Sequence, residues 1–98
     1  MTPQAQRLID VLGEQIRHAE AMLDALQREN EALVASDTDA LGNASAAKAE
    51  IVETLERLEA ERQTLAAVVS DATQASGDWE RLRALIGECK QRNDKNGA

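Results

Sequence analysis

The sequence predicts an all-α protein, a long antiparallel helical hairpin of coiled-coil type with a shorter third helix, on three observations. Residues 41–69 place Leu41, Ala44, Lys48, Ile51, Leu55, Leu58, Arg62, Leu65 and Val69 at alternating steps of three and four, which only an α-helix brings to one side. Upstream, Ile9, Leu12, Ile16, Ala19, Leu23, Leu26, Asn30 and Leu33 repeat that spacing, so two seams are available to face each other. Strand signals are missing: Ala, Leu, Glu, Gln and Arg dominate, and a single Trp is the only aromatic residue among 98.

The elements follow in order, within one helical domain spanning residues 1–98. Thr2 followed by Pro3 marks a helix start, a hydroxyl that can accept an orphan N–H and then a residue with preset φ and no N–H to lose. Helix 1 is expected over about 3–35. Its outer face carries Asp10, Glu14, Arg17, Glu20, Asp24, Gln27, Arg28 and Glu31, whereas Leu8, Val11, Met22, Ala25 and Ala32 widen the apolar arc on one side only. A two-helix seam would leave that flank bare, so a third helix or a second subunit, as in a homodimer, is expected to cover it.

Ser36-Asp37-Thr38-Asp39 groups capping residues where the chain must reverse, with Ser36 or Asp37 as the N-cap of helix 2, expected over about 38–69. Reversal there aligns Leu33 with Leu41, Leu26 with Lys48, Leu23 with Ile51, Ala19 with Leu55, Ile16 with Leu58 and Leu12 with Arg62. Residues 70–77 are small and polar and read as a loop. Asp78 is then the expected cap of a third helix over about 78–93, whose stripe is Trp79, Leu82, Ile86, Cys89 and Asn93, with Leu85 beside it.

Charge narrows the function. A formal net charge of −7 without clustered Lys and Arg argues against nucleic acid and against an anionic membrane surface. No apolar run approaches the ~20 residues that cross a bilayer, so membrane insertion is not expected. The opening Met1-Thr2-Pro3-Gln4 has no signal-peptide pattern, which points to the cytoplasm. One cysteine, Cys89, cannot form an internal disulfide.

Lys48 and Arg62 sit in the seam where an aliphatic side chain would bury more apolar surface. Either their stems cover the seam while the charges reach a carboxylate such as Glu59 or water, or polar seam positions fix register and a discrete association state; leucine at either position is expected to raise the melting temperature. His18 has no companion ligands at metal spacing, and Cys89 reads as a small buried hydrophobe. Phosphate loops, Ser-His-Asp elements and cysteine clusters are missing, so neither catalysis nor a metal or cofactor is expected.

The end of helix 1, Glu29-Asn30-Glu31-Ala32-Leu33, is followed by Asp39-Ala40-Leu41, then by Lys48, Ile51, Leu55, Leu58, Glu61-Arg62 and Leu65, and finally by Arg92-Asn93-Asp94-Lys95-Asn96-Gly97. This succession resembles the flagellar export chaperone family FlgN, in which an acidic helical hairpin carries a Lys and an Arg in its second helix ahead of an N-x-x-N-G element. The resemblance implies a non-enzymatic cytoplasmic chaperone that binds hook-associated proteins at the hook–filament junction and delivers them to the flagellar type III export apparatus. It also implies more helix after the N-x-x-N-G element, in a region associated with client binding, whereas this sequence ends at Ala98. Within these residues Trp79, Leu82, Leu85, Ile86 and Cys89 are the expected partner-binding stripe, as part of the client groove or its intramolecular substitute. A structural coiled-coil oligomerisation or adaptor module is the competing reading, since heptads alone fit it equally well.

Overall fold

The structure, a computed structural model, describes residues 2–69 and 76–97. Three helices occur among them: α1 (Pro3–Ala35), α2 (Thr38–Val68) and α3 (Ser76–Lys95). The long axis of 51 Å matches the ~50 Å that the 33 residues of α1 span at ~1.5 Å each.

The local signals explain the helix ends. Thr2 Oγ1 accepts from the Ala5 N–H at 3.1 Å, with Pro3 in the first turn. At the reversal the two capping candidates divide the work. Asp37 caps α2 by accepting from the Ala40 N–H at 3.1 Å, while Ser36 closes α1 in the left-handed region at φ 54°. The Asp37 N–H then donates back to the Ala32 carbonyl at 2.9 Å, as in a Schellman turn. A left-handed conformation costs a non-glycine residue about 1 kcal/mol, so Ser36→Gly is expected to stabilise the fold by about that amount in urea titration.

Three ends differ from expectation, one of them the end of α3, which runs to Lys95 instead of about 93. α2 stops at Val68, with Val69 extended and its N–H donating to the Leu65 carbonyl at 2.9 Å. α3 starts at Ser76, which puts Asp78 inside its first turn instead of at the cap, where its charge still favours the helix dipole. Of the expected loop 70–77, residues 76 and 77 are helical and 70–75 lie outside the described residues.

α1, not the seam of residues 41–69, is the middle of the molecule. Leu8, Val11, Leu12, Ile16, Ala19, Met22, Ala25, Leu26 and Ala32 of α1 are buried, against Ala44 and Leu58 of α2 and Leu82 of α3. Polar bonds to α2 leave α1 from Arg7, Gln15 and Glu29, whereas those to α3 and to Asn96 just after it leave from Glu20, Gln27, Glu29 and the carbonyls of Ala19 and Leu26. Thus α2 lies against the flank that periodicity left unpartnered, and α3 takes much of the stripe assigned to α2. Asn30 and Leu33 of that stripe remain exposed.

The hairpin alignment is close to the expected one. Gln15, beside Ile16, donates to Glu59, beside Leu58, at 3.1 Å. Near the open end Arg7 grips the Glu61 carboxylate through Nε at 2.6 Å and Nη2 at 2.8 Å. α3 runs parallel to α1, since Cys89 reaches the Ala19 carbonyl and, one heptad on, Asn96 reaches that of Leu26.

Candidate partner interface

α3 carries the stripe that the sequence singles out, and the structure splits it. Leu82 is fully buried among Leu8, Leu12, Ile16 and Ala19, with Trp79 and Leu85 partly buried against the same cluster. Cys89 is half-buried, its thiol donating to the Ala19 carbonyl at 3.4 Å. Burial and the Glu88 charge push that thiol up, the opposite of what an activated nucleophile needs. Ile86 alone of the five is exposed, at 48%. The stripe therefore acts mainly as an anchor of α3 onto α1, and Ile86 is its outward part.

Two polar clasps join α3 to the hairpin, and both use the cations of the α2 seam. At one clasp Lys48 Nζ donates to Glu29 Oε2 and to Asn93 Oδ1, both at 2.8 Å, so one ammonium touches all three helices. Asn96 completes it by donating to the other Glu29 oxygen at 2.9 Å and to the Leu26 carbonyl at 3.0 Å. Gly97 follows at φ +76°, a conformation that glycine adopts without strain and that ends the helix. The residues of the N-x-x-N-G element and the seam lysine thus meet at one place. The Lys48 charge does not snorkel to water: its partner Glu29 has a side chain only 5% exposed.

At the other clasp Arg62 holds both oxygens of Glu59 at 2.7 Å and lies over the Trp79 ring, 4.1 Å from its centroid. Glu59 was a partner suggested by the sequence; the stacking on Trp79 was not. Helical spacing alone cannot show which ring reaches a cation on another helix. Gln15, donating to Glu59, is buried and its own Oε1 has no hydrogen-bond partner among the described residues.

These contacts set the carboxylates. Bonds from Arg62 lower Glu59 to about 2, against the opposing push of burial and with help from Gln63 and Gln15. Burial raises Glu29, but bonds from Lys48 and Asn96 and the Lys48 charge outweigh it, so that group also lies below the usual carboxylate range. A carboxylate lowered on folding stabilises the fold above its unfolded value near 4.5, and that contribution fades as pH falls toward the folded value. The melting temperature should therefore drop between about pH 5 and pH 2, and Glu59→Gln should flatten part of that drop. An unchanged pH profile in the variant would contradict this role.

His18 Nδ1 lies 2.8 Å from the Glu14 carbonyl, which can only accept, so the imidazole is tied to its own helix. No group of three or more His, Cys, Asp or Glu among the described residues could hold a metal ion. An open cleft of about 740 Å³ between α1 and α3 is walled by Leu26, Gln27, Asn30, Glu88, Arg92 and Asn96 among others, without a nucleophile–base pair. No described helix is long and apolar enough to cross a membrane.

These features define an acidic, all-helical protein in which a hairpin is clasped by a third helix. The chain belongs to the FlgN family: the FlgN protein family matches residues 1–98, the whole chain. It is a family of flagellar export chaperones, not one known for enzymatic activity. Comparison with curated proteins and with solved structures gives no match.

Proposed function

We propose that this protein is a cytoplasmic chaperone for hook-associated proteins of the hook–filament junction, binding their terminal helices and handing them to the flagellar type III export apparatus. Membership of the FlgN family supports the chaperone role. The observation that carries the binding mode is α3 itself, an amphipathic helix clasped to a hairpin with Ile86 left outward. Trp79, Leu82, Leu85, Ile86 and Cys89 are the partner-binding stripe in this reading. Ile86 offers the direct contact, and the other four hold the helix that presents it.

Calorimetric titration with the terminal segments of the two junction proteins tests this. Binding with Kd of about 1 μM is the expected result. Silence from both segments would favour a structural coiled-coil module. Light scattering separates the same two readings: a dimer insensitive to dilution would favour the structural module. The seam cations weigh against that module, because Lys48 and Arg62 find their partners within the chain.

A further inference from the structure

The chain carries a net charge of −7, yet one face of α3 presents two cations with no ion-pair partner among the described residues. They are Arg83 and Lys90, both exposed, one turn to either side of the exposed Ile86. The other arginines of α3 are engaged: Arg81 pairs with Glu20 of α1 at 3.3 Å, and Arg92 pairs with Glu88 at 3.2 Å and reaches Gln27. Hence α3 uses one set of cations to dock and leaves another free beside an apolar side chain.

The position of Ile86 gives that face a second wall. Trp79 and Asn93, one heptad before and after Ile86, are the residues that reach α2, at Arg62 and Lys48. Leu55 stands one heptad from each of those cations, so Leu55 and Ile86 are the midpoints of the α2–α3 seam. The seam does not close there: no described Cα of α2 comes within 8 Å of one in α3. Ile86 stays 48% exposed, Leu55 is half-buried, and Val52, one turn before Leu55, is 42% exposed. An apolar slot framed by two clasps and edged by unpaired cations is the result.

We propose that this slot, Ile86 with Val52 and Leu55 between Arg83 and Lys90, receives an amphipathic helix whose apolar residue is flanked by carboxylates. Charge complementarity commits the partner. Arg83 and Lys90 stand about 10 Å apart along the helix axis, which suits acidic residues two turns apart on the incoming helix. The inference rests on the chaperone reading and adds to it the second wall from α2 and the acidic character of the bound segment.

The test titrates the full chain with a terminal segment of a hook-associated protein. Melting temperature is followed for each variant, because all the substituted positions are exposed. Ile86→Glu and Val52→Glu are each expected to weaken binding by roughly 30-fold. The double variant Arg83→Glu with Lys90→Glu is expected to weaken it by roughly tenfold and to abolish its dependence on salt. Normal binding by all three, with the wild type binding, would overturn the slot and leave the chaperone reading standing. Loss in Ile86→Glu but not in Val52→Glu would remove α2 from the site. Loss in both of these with the charge-reversed variant unaffected would overturn the acidic partner. No binding by the wild type would overturn both readings together.

Discussion

Replacing Lys48 with leucine is expected to lower the melting temperature by roughly 10–20 °C, the opposite of what the heptad pattern suggests. In the pattern a lysine at a seam position is a weak spot that an aliphatic residue would repair. In the fold its side chain is only 18% exposed, and its ammonium sits 2.8 Å from Glu29, whose side chain is 5% exposed. Removing one partner of such a pair leaves a buried charge uncompensated, at about 3 kcal/mol. The bond from Lys48 to Asn93 is lost in the same step, and with it a tie between α2 and α3. Thermal melts of Lys48→Leu, and of the same variant combined with Glu29→Leu, check this. The second substitution should recover much of the loss, because an apolar pair is tolerated where a lone carboxylate is not. A Lys48→Leu protein that melts above the wild type would restore the seam-defect view. Arg62→Leu should also fail to stabilise, since it gives up both bonds to Glu59 and the Trp79 stacking.

Leu82→Ala should cost about 3 kcal/mol, within the range for emptying a fully buried leucine site, and the loss should be local. Among the described residues, Leu82 is the one fully buried side chain that α3 contributes to the cluster of Leu8, Leu12, Ile16 and Ala19. α3 has no close backbone approach to α2 to fall back on. Hydrogen exchange across 76–97 should therefore accelerate well before that of α1 and α2. Alkylation of Cys89 gives a second readout. Its thiol is half-buried, raised in pKa and bonded to the Ala19 carbonyl, so native α3 shields it and a detached α3 would not. Equal acceleration across all three helices would show instead that α3 and the hairpin unfold as one unit.

Much of this was readable from local signals. Thr2-Pro3 and Asp37 cap helices as their chemistry dictates, because a cap depends on a few neighbouring residues and on nothing distant. Ser36 shows the limit of that reasoning. The same oxygen-bearing residue types serve as N-caps and tolerate turns, so only the path of the chain decides that Ser36 closes α1 and Asp37 opens α2. The alignment of the hairpin was readable as well, since a short link leaves few registers that bury both apolar faces.

The candidate site was legible in its parts and not in its assembly. The stripe of α3 was visible at helical spacing, but five apolar residues on one helix say nothing of which of them faces outward. Leu82 is buried because it packs on Leu8, Leu12, Ile16 and Ala19 of α1, and Ile86 lies outside that cluster. The Lys, the Arg and the N-x-x-N-G element stood out as marks, yet their physical purpose depends on approach between residues far apart in the chain. Arg83 and Lys90 passed unnoticed for a similar reason. Unpaired charge is a property of a surface, and no spacing rule reveals it until the neighbouring helices are in place.

By itself the sequence determined three helices, where they begin and end to within a few residues, an acidic surface and an apolar arc on helix 1 too wide for one partner. Hydrophobic periodicity and capping chemistry are local, and they act whatever the tertiary arrangement. Only the tertiary structure decided that α1 is the central helix and that α2 takes the wide flank while α3 takes the stripe. It also decided that Lys48 and Arg62 are clasps. The physical reason is that an apolar arc accepts any complementary helix, since burial carries no direction. The hydrogen-bonded geometry of Glu29, Lys48, Asn93 and Asn96 and the stacking of Arg62 on Trp79 are directional and admit one arrangement.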